Sequence, residues 1–220
     1  MPRKRPPFIR LSAVRDARLI IIATEDTKAA VAYFEGLVSA QYYQNPQVHV
    51  EVLQRHTTAS APGHILRQLD EWRETYDFGV GDEFWLVVDV DRWGEQKLSQ
   101  IAQDCIQKSI NLAVSNPAIE LWFLLHRTDL DSYTQVQLDE FLANERMSNN
   151  RTRLEQEIVR LAGSYNKSNL KVIDFLPYVS DAIRRAESLD HTPTDRWPQT
   201  LGTHVYRLVR SVISGSQRVP

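Results

Sequence analysis

The chain has 220 residues, with 26 basic and 28 acidic side chains and 42% hydrophobic residues, which is the composition of an ordinary globular protein. This composition excludes collagen-like, long coiled-coil and fully disordered chains, and the apolar runs are too short to span a bilayer. Cys105 is the single cysteine, so an internal disulfide is excluded, and no apolar signal segment follows the basic start; we expect a cytoplasmic protein with no membrane partner.

Strand and helix patterns alternate along the first 126 residues. Short apolar or alternating runs predict strands, and apolar residues at helical spacing predict helices. The predicted strands are 17–24, 48–54, 83–91 and 110–115. The predicted helices are 27–43, 64–76, 96–108 and an apolar, buried one at 118–126. This alternation with short connections predicts an α/β fold, with a Rossmann-like parallel sheet flanked by helices.

Strand patterns stop after residue 127, and the rest of the chain is predicted to be helical. The helical segments are 135–145, 151–163, 177–189 and 201–213. The chain therefore divides into a basic N-terminal arm (1–16), an α/β domain (17–130) and a C-terminal helical appendage packed on it (131–220).

Charge is segregated along the chain. Residues 1–19 carry six basic and one acidic side chains, residues 20–150 carry nine and twenty, and residues 151–220 carry eleven and seven. An acidic middle between basic ends suits a site that gathers divalent cations beside surfaces that hold phosphates. It equally suits an ordinary solvated surface.

Acidic side chains follow two of the predicted strands. Glu25 comes directly after the first strand, and Asp89 and Asp91 close the third. A parallel sheet brings these ends to one rim, and strand residues two apart face the same side. Three carboxylates repel one another unless a cation neutralises them, and hard oxygen ligands suit Mg²⁺ or Mn²⁺. The alternative is that these acids cap helices or are merely solvated.

Two other protein classes also place acids at strand ends. Phosphatases of the haloacid dehalogenase type need the Asp-x-Asp on the first strand, whereas here it follows the third. Receiver domains need a lysine after a fifth strand, and no fifth strand is readable in this sequence. The order of elements therefore disfavours both classes.

The same residues resemble a known group of proteins. Glu25 with Asp89-Val90-Asp91 resembles the TOPRIM domain of topoisomerases, primases and OLD-type nucleases, in which a Glu and an Asp-x-Asp hold catalytic Mg²⁺. The segment from Ser115 to His126 is similar to the S-N-P-x-x-E-x-W-x-x-x-H signature of the RloB-like family. Tyr33-Phe34 matches that family's first motif, and Thr200–Val209 matches its C-terminal motif more loosely.

The resemblance implies a Mg²⁺- or Mn²⁺-dependent phosphodiesterase or endonuclease that cleaves DNA or RNA, tRNA included, as an effector of bacterial anti-phage defence. It implies Asp89 and Asp91 as metal ligands, Glu25 as a further ligand or the general acid/base, and Glu120 as a catalytic residue. A phage trigger or a regulatory partner would control the activity. The nucleic-acid type, the sequence preference, the number of metal ions and the oligomeric state stay open.

The chain departs from the family pattern beside its first motif. The family usually has Glu-Gly followed by Thr-Glu, whereas this chain has Glu25-Asp26 and then Ala29-Ala30. A carboxylate on the first helix is therefore missing, and Asp26 or Glu120 is the candidate replacement. The alternative function is a catalytically impaired TOPRIM module that binds nucleic acid or a partner protein.

Substrate contacts are expected from polar residues of the signature and from the basic appendage. Ser115 and Asn116 would orient a phosphate or cap the next helix, and His126 would shuttle a proton or fill the core. The expected phosphate-binding cations are Arg151, Arg153, Lys167, Lys171, Arg184, Arg185, Arg207 and Arg210. Tyr165, Trp197 and Tyr206 are candidates for stacking on unpaired bases.

Overall fold

The computed structural model describes residues 17–39, 42–54, 62–74, 78–91, 93–148, 150–214 and 217–218. The basic arm, 1–16, lies outside the described residues. The strands are β1 (Arg18–Thr24), β2 (Tyr43–Gln44), β3 (Val48–Leu53), β4 (Glu83–Asp89), β5 (Asn111–Asn116), β6 (Gly202–Thr203) and β7 (Gln217–Arg218).

Helices connect and cover these strands. They are α1 (Ala29–Leu37), α2 (Pro62–Glu74), α3 (Glu95–Gln107), α4 (Glu120–Arg127), α5 (Gln135–Ala143), α6 (Arg153–Ala162), α7 (Val179–Leu189) and α8 (Val205–Ile213). Two 3₁₀ turns, Val172–Asp174 and Leu176–Tyr178, precede α7. The predicted alternation of strands and helices is confirmed, although α1 is shorter than the predicted helix 27–43.

The main sheet within the described residues is five-stranded and mixed, in the order β3-β1-β4-β5-β6. The strands β3, β1, β4 and β5 are parallel, and β6 pairs antiparallel with the end of β5. The predicted parallel sheet is therefore confirmed for four strands, and an antiparallel strand that was not predicted is added at one edge, where two residues within the predicted helix 201–213 pair with β5. After β1 the chain adds β3 on one side of β1, and it later adds β4 on the other side of β1. The crevice between β1 and β4 is therefore a topological switch point.

Alternating residues of β1 supply the two sides of the core. Ile20 and Ile22 pack with side chains of α1, α4, α6, α7 and α8. Leu19, Ile21 and Ala23 pack with side chains of α2 and α3. Because both faces of the sheet are covered, the central strands read as continuous apolar runs rather than as an alternation.

The C-terminal helices belong to the same core as one face of the sheet. Leu154 and Ile158 of α6, Val179 of α7 and Val209 of α8 share a buried cluster with Trp122 of α4. The predicted packing of the appendage on the α/β part thus takes the form of one continuous apolar interior. No helix among the described residues is long and apolar enough to cross a bilayer.

Candidate functional site: an acidic centre at the switch point

Glu25 and Asp89 meet at the rim between β1 and β4. The backbone N–H of Glu25 donates to the carbonyl of Val87 at 2.9 Å, which extends the strand pairing by one residue. Oε2 of Glu25 accepts from the indole Nε1 of Trp93 at 2.9 Å and lies 3.4 Å from the backbone N of Asp89. Glu25 is 2% exposed and Asp89 6% exposed, so both carboxylates are buried at this rim.

The carboxylate of Asp89 also faces the start of α4. Its Oδ1 accepts from the backbone N–H of Ile119 at 2.8 Å, so it satisfies a donor at the N-terminal end of that helix. Burial and the nearby carboxylates of Glu120, Glu25 and Asp91 raise the pKa of Asp89 well above its usual value, while Lys167 opposes the shift. Ionised Asp89 is therefore unfavourable here unless further positive charge arrives.

Asp91 lies just beyond this pair. β4 ends at Asp89, so the prediction of a strand through residue 91 is wrong, and Asp91 occupies a turn. Its backbone N–H donates to the carbonyl of Pro117 at 3.0 Å, and the residue is exposed. The turn, rather than the alternation of a strand, places its charge close enough to affect the pKa of Asp89.

Glu120 is bound by two side chains from the segment that follows α6. Its Oε1 accepts from Nζ of Lys167 at 2.7 Å and from the hydroxyl of Tyr165 at 3.1 Å. The sequence indicates that a carboxylate within an apolar helix needs a partner, and the structure supplies this ion pair. The carboxylates of Glu25, Asp26, Asp89, Asp91 and Glu120 are called the acidic centre below. Lys167, expected to bind substrate phosphate, thus lies within this centre.

Asp26 connects the first helix to the same lysine. Its Oδ1 accepts from the backbone N–H groups of Lys28 and Ala30, both at 2.9 Å, so it satisfies donors at the start of α1. Its Oδ2 lies 3.3 Å from Nζ of Lys167. The sequence did not predict that Lys167 pairs with both Asp26 and Glu120. Its one signal was that Glu120, a carboxylate within an apolar helix, needs a partner.

Ser115 and Asn116 contact the C-terminal part of the chain. Oγ of Ser115 lies 2.7 Å from Oγ1 of Thr203, and Nδ2 of Asn116 donates to the carbonyl of Pro198 at 2.9 Å. Neither side chain caps α4, so that alternative is excluded. Both are buried and help to fasten the edge strand β6 to β5.

His126 lies in the core. Its Nδ1 lies 2.8 Å from the carbonyl of Trp122 and must donate to it, so Nε2 accepts from the hydroxyl of Tyr33 at 3.0 Å. Burial lowers the pKa of His126 to about 3, which keeps the imidazole neutral near pH 7. The structure therefore favours core packing over a proton shuttle for this residue.

Most of the basic side chains expected to bind phosphate make contacts within the protein. Arg151 donates to the carbonyl of Tyr165, and Arg185 donates to the carbonyl of Leu125. The other arginines form ion pairs: Arg153 with Glu140 and Glu157, Arg184 with Asp181, Arg207 with Asp190, and Arg210 with Glu187. A substrate phosphate would have to compete with these carboxylates.

The aromatic residues expected to stack on bases are buried in the structure. Tyr165 is 5% exposed, Trp197 8% and Tyr206 6%. Trp197 packs in the core between the sheet and helices α2 and α3, and Tyr206 packs on the opposite face. The structure therefore favours core packing over stacking on bases for these three side chains.

The donor set at the switch point fits a hard divalent cation in its chemistry. Glu25, Asp89 and Asp91 offer carboxylate oxygens, the ligands that Mg²⁺ and Mn²⁺ prefer. In the described part of the chain, no group of three or more His, Cys, Asp or Glu side chains is already arranged to hold a metal ion.

The comparisons with known proteins identify a family. The sequence model of the RloB-like protein family matches residues 20–212, which is most of the chain. No curated protein and no solved structure matches the chain significantly.

Proposed function

Because this chain belongs to the RloB-like protein family, we propose that it is a metal-dependent nuclease of the TOPRIM type that hydrolyses phosphodiester bonds in DNA or RNA. The observation that supports this most is the meeting of Glu25 and Asp89 at the switch point of the sheet. Ligands of open α/β sheets bind at this position, beyond the carboxyl ends of the strands.

Glu25, Asp89 and Asp91 are the residues that would hold Mg²⁺ or Mn²⁺. The cation would neutralise charge that develops on phosphate oxygens and would lower the pKa of a bound water. The chain orients two of these ligands through fixed donors: Trp93 holds Oε2 of Glu25, and Ile119 holds Oδ1 of Asp89. Such support leaves little freedom for the carboxylates to turn away.

The biological setting is part of the same proposal. The chain acts in the bacterial cytoplasm as an effector of anti-phage defence, and a phage component or a partner protein triggers it. The internal ion pairs of the basic helices support control of this kind, because a trigger that breaks them would free cationic side chains for nucleic acid.

Loss of a proposed metal ligand tests the function directly. We expect purified wild-type protein to cleave mixed RNA and DNA only with Mg²⁺ or Mn²⁺, and EDTA to stop the reaction. Asp89→Ala and Asp91→Ala should each reduce cleavage by at least about 100-fold, because several kcal/mol of charge stabilisation depend on the metal. The readout is the sequence of fragment ends from each reaction.

The exposed acid Asp131 provides a matched control for this experiment. Asp131→Ala removes a carboxylate of the same kind outside the acidic centre and should cleave as the wild type does. Metal-dependent cleavage that persists unchanged in Asp89→Ala protein would contradict the assignment.

A second candidate function is a catalytically impaired module that binds nucleic acid or a partner protein. It is favoured by the ion pairs of Lys167 with Glu120 and Asp26, which fill part of the acidic centre with a side-chain cation. This function predicts binding that weakens as salt increases, without cleavage in any metal. The nuclease assay therefore separates the two candidates.

A further inference from the structure

The ammonium group of Lys167 lies between the buried carboxylate of Glu120 and the partly buried carboxylate of Asp26, which precedes α1. Nζ is 2.7 Å from Oε1 of Glu120 and 3.3 Å from Oδ2 of Asp26. The side chain of Glu120 is 4% exposed and that of Asp26 10% exposed. The ammonium therefore occupies the place at which these two carboxylates could share a cation.

Lys167 stays charged in this place. Burial disfavours the ammonium, but the carboxylates of Glu120 and Asp26 outweigh it and raise the pKa of Lys167 above its usual value. Its charge also reaches Asp89, whose ionised form it favours. One fixed positive charge thus acts on three carboxylates of the centre.

The segment around Lys167 is fastened on both sides, so this contact does not depend on a long side chain alone. Tyr165 binds Glu120, and Arg151 binds the carbonyl of Tyr165 at 2.9 Å. On the other side, Nζ of Lys28 donates to Oγ of Ser168 at 3.1 Å. These contacts position the ammonium beside the beginnings of α1 and α4.

We propose that Lys167 is a built-in cation that takes the place of a second metal ion, so that the acidic centre holds one divalent cation at Glu25, Asp89 and Asp91. The inference rests on the proposed function and deepens it. A second divalent cation at Glu120 and Asp26 would have to displace the ammonium from its 2.7 Å contact, against strong repulsion at such a short distance.

Counting bound Mn²⁺ tests this inference without any measurement of activity. The full chain, free of nucleic acid, is titrated with Mn²⁺, and the electron paramagnetic resonance signal of unbound Mn²⁺ gives the number of sites. We expect one site in the wild type and two in Lys167→Met, in which Glu120 and Asp26 lose their ammonium. Lys171→Met is the control, since it removes an exposed lysine from the same segment, and it should keep one site.

Glu120→Gln provides an independent test that also applies if Lys167→Met does not fold. Glutamine has nearly the shape of glutamate and can still accept from the hydroxyl of Tyr165. If Glu120 serves Lys167 and not the metal, the variant keeps one Mn²⁺ site, weakened by less than about tenfold through the lost negative charge. Loss of Mn²⁺ binding in Glu120→Gln would show that Glu120 is itself a ligand and would overturn the inference.

The outcomes separate this inference from the function on which it rests. A wild-type protein that binds no Mn²⁺ contradicts the proposed nuclease and the inference together. Two sites in the wild type, or one site in a folded Lys167→Met protein, contradict only the role of Lys167. Circular dichroism of each variant shows whether it is folded.

Discussion

At the scale of single residues, the main feature of the acidic centre is the unfavourable charge of buried Asp89. Burial next to other carboxylates makes the charge of Asp89 costly, and the backbone N–H of Ile119 and the ammonium of Lys167 offset only part of that cost. Replacing Asp89 by a neutral side chain of the same shape should therefore remove a destabilising charge from the metal-free protein.

The stability of metal-free protein should accordingly depend on pH through Asp89. The pKa of Asp89 is higher in the folded than in the unfolded state, so the folded state binds more protons in the range between the two values. The contribution of Asp89 to the free energy of unfolding is then fully present below the pKa of the unfolded state. It is lost as pH rises towards the pKa of the folded state. Asp89→Asn, which can still accept from Ile119, should not show this loss.

Urea denaturation in EDTA from about pH 4 to about pH 8 measures the effect as the difference between the two proteins. We expect Asp89→Asn to become the more stable protein, by about 1 kcal/mol or more, at the upper end of the range. Parallel stability curves for wild type and variant would contradict a raised pKa. Saturating Mg²⁺ should stabilise the wild type and not the variant.

The sequence predicts the acids of the centre better than it predicts their partners. Glu25 and Asp89 could be placed because each lies at the end of a buried strand, and the ends of neighbouring parallel strands share a rim. Lys167 could not be placed, since it is 47 residues from Glu120 and lies in a segment with no periodic pattern. Its position depends on how the C-terminal helices pack, which the spacing of apolar residues leaves undetermined.

Sequence patterns predict the long helices and strands of this protein and miss a very short strand. β1 and β4 have seven residues each and α3 has thirteen, and their predicted bounds are correct to within two residues. β6 has two residues, Gly202 and Thr203, which is too short for any alternation and lies directly before an amphipathic helix. The prediction therefore merged it with α8 and missed the antiparallel edge.

The capping of α6 gives a test at the scale of one element. Thr152 accepts from the backbone N–H of Glu155, and the side chain of Glu155 accepts from the backbone N–H of Thr152, which is a complete capping box. We expect Thr152→Ala to lower the free energy of unfolding by about 1 kcal/mol. Denaturation in urea measures the loss.

The matched control is Thr194→Ala, at an exposed position in the connection before β6. It should change stability by less than about 0.5 kcal/mol. Equal effects of the two substitutions would mean that the capping box contributes nothing beyond an ordinary surface threonine.

The whole molecule has a core that crosses the domain boundary predicted near residue 130. Phe141 of α5, Ile158 of α6 and Val209 of α8 are buried in one cluster with Trp122 and Phe123 of α4. The sequence could predict that the C-terminal helices are amphipathic. It could not show that they share one interior with the sheet, because the same pattern also suits a separate helical domain.

Removal of the helical region tests how far the core is shared. A protein consisting of residues 17–130 would expose one face of the sheet and most of α4, so we expect it to lack a cooperative unfolding transition. Circular dichroism during urea denaturation provides the measurement, with the full chain as reference. A sigmoidal transition for the fragment would demonstrate an independent domain.

The ion pair between Glu120 and Lys167 has a consequence for synthesis, because the ribosome makes the chain in sequence order. Glu25, Asp89 and Glu120 are all translated before Lys167, and the residues of β6 that complete the sheet come later still. A nascent chain that has emerged only as far as α4 therefore carries these acids without their neutralising side chain. Maturation of the centre has to wait until Lys167 has been made.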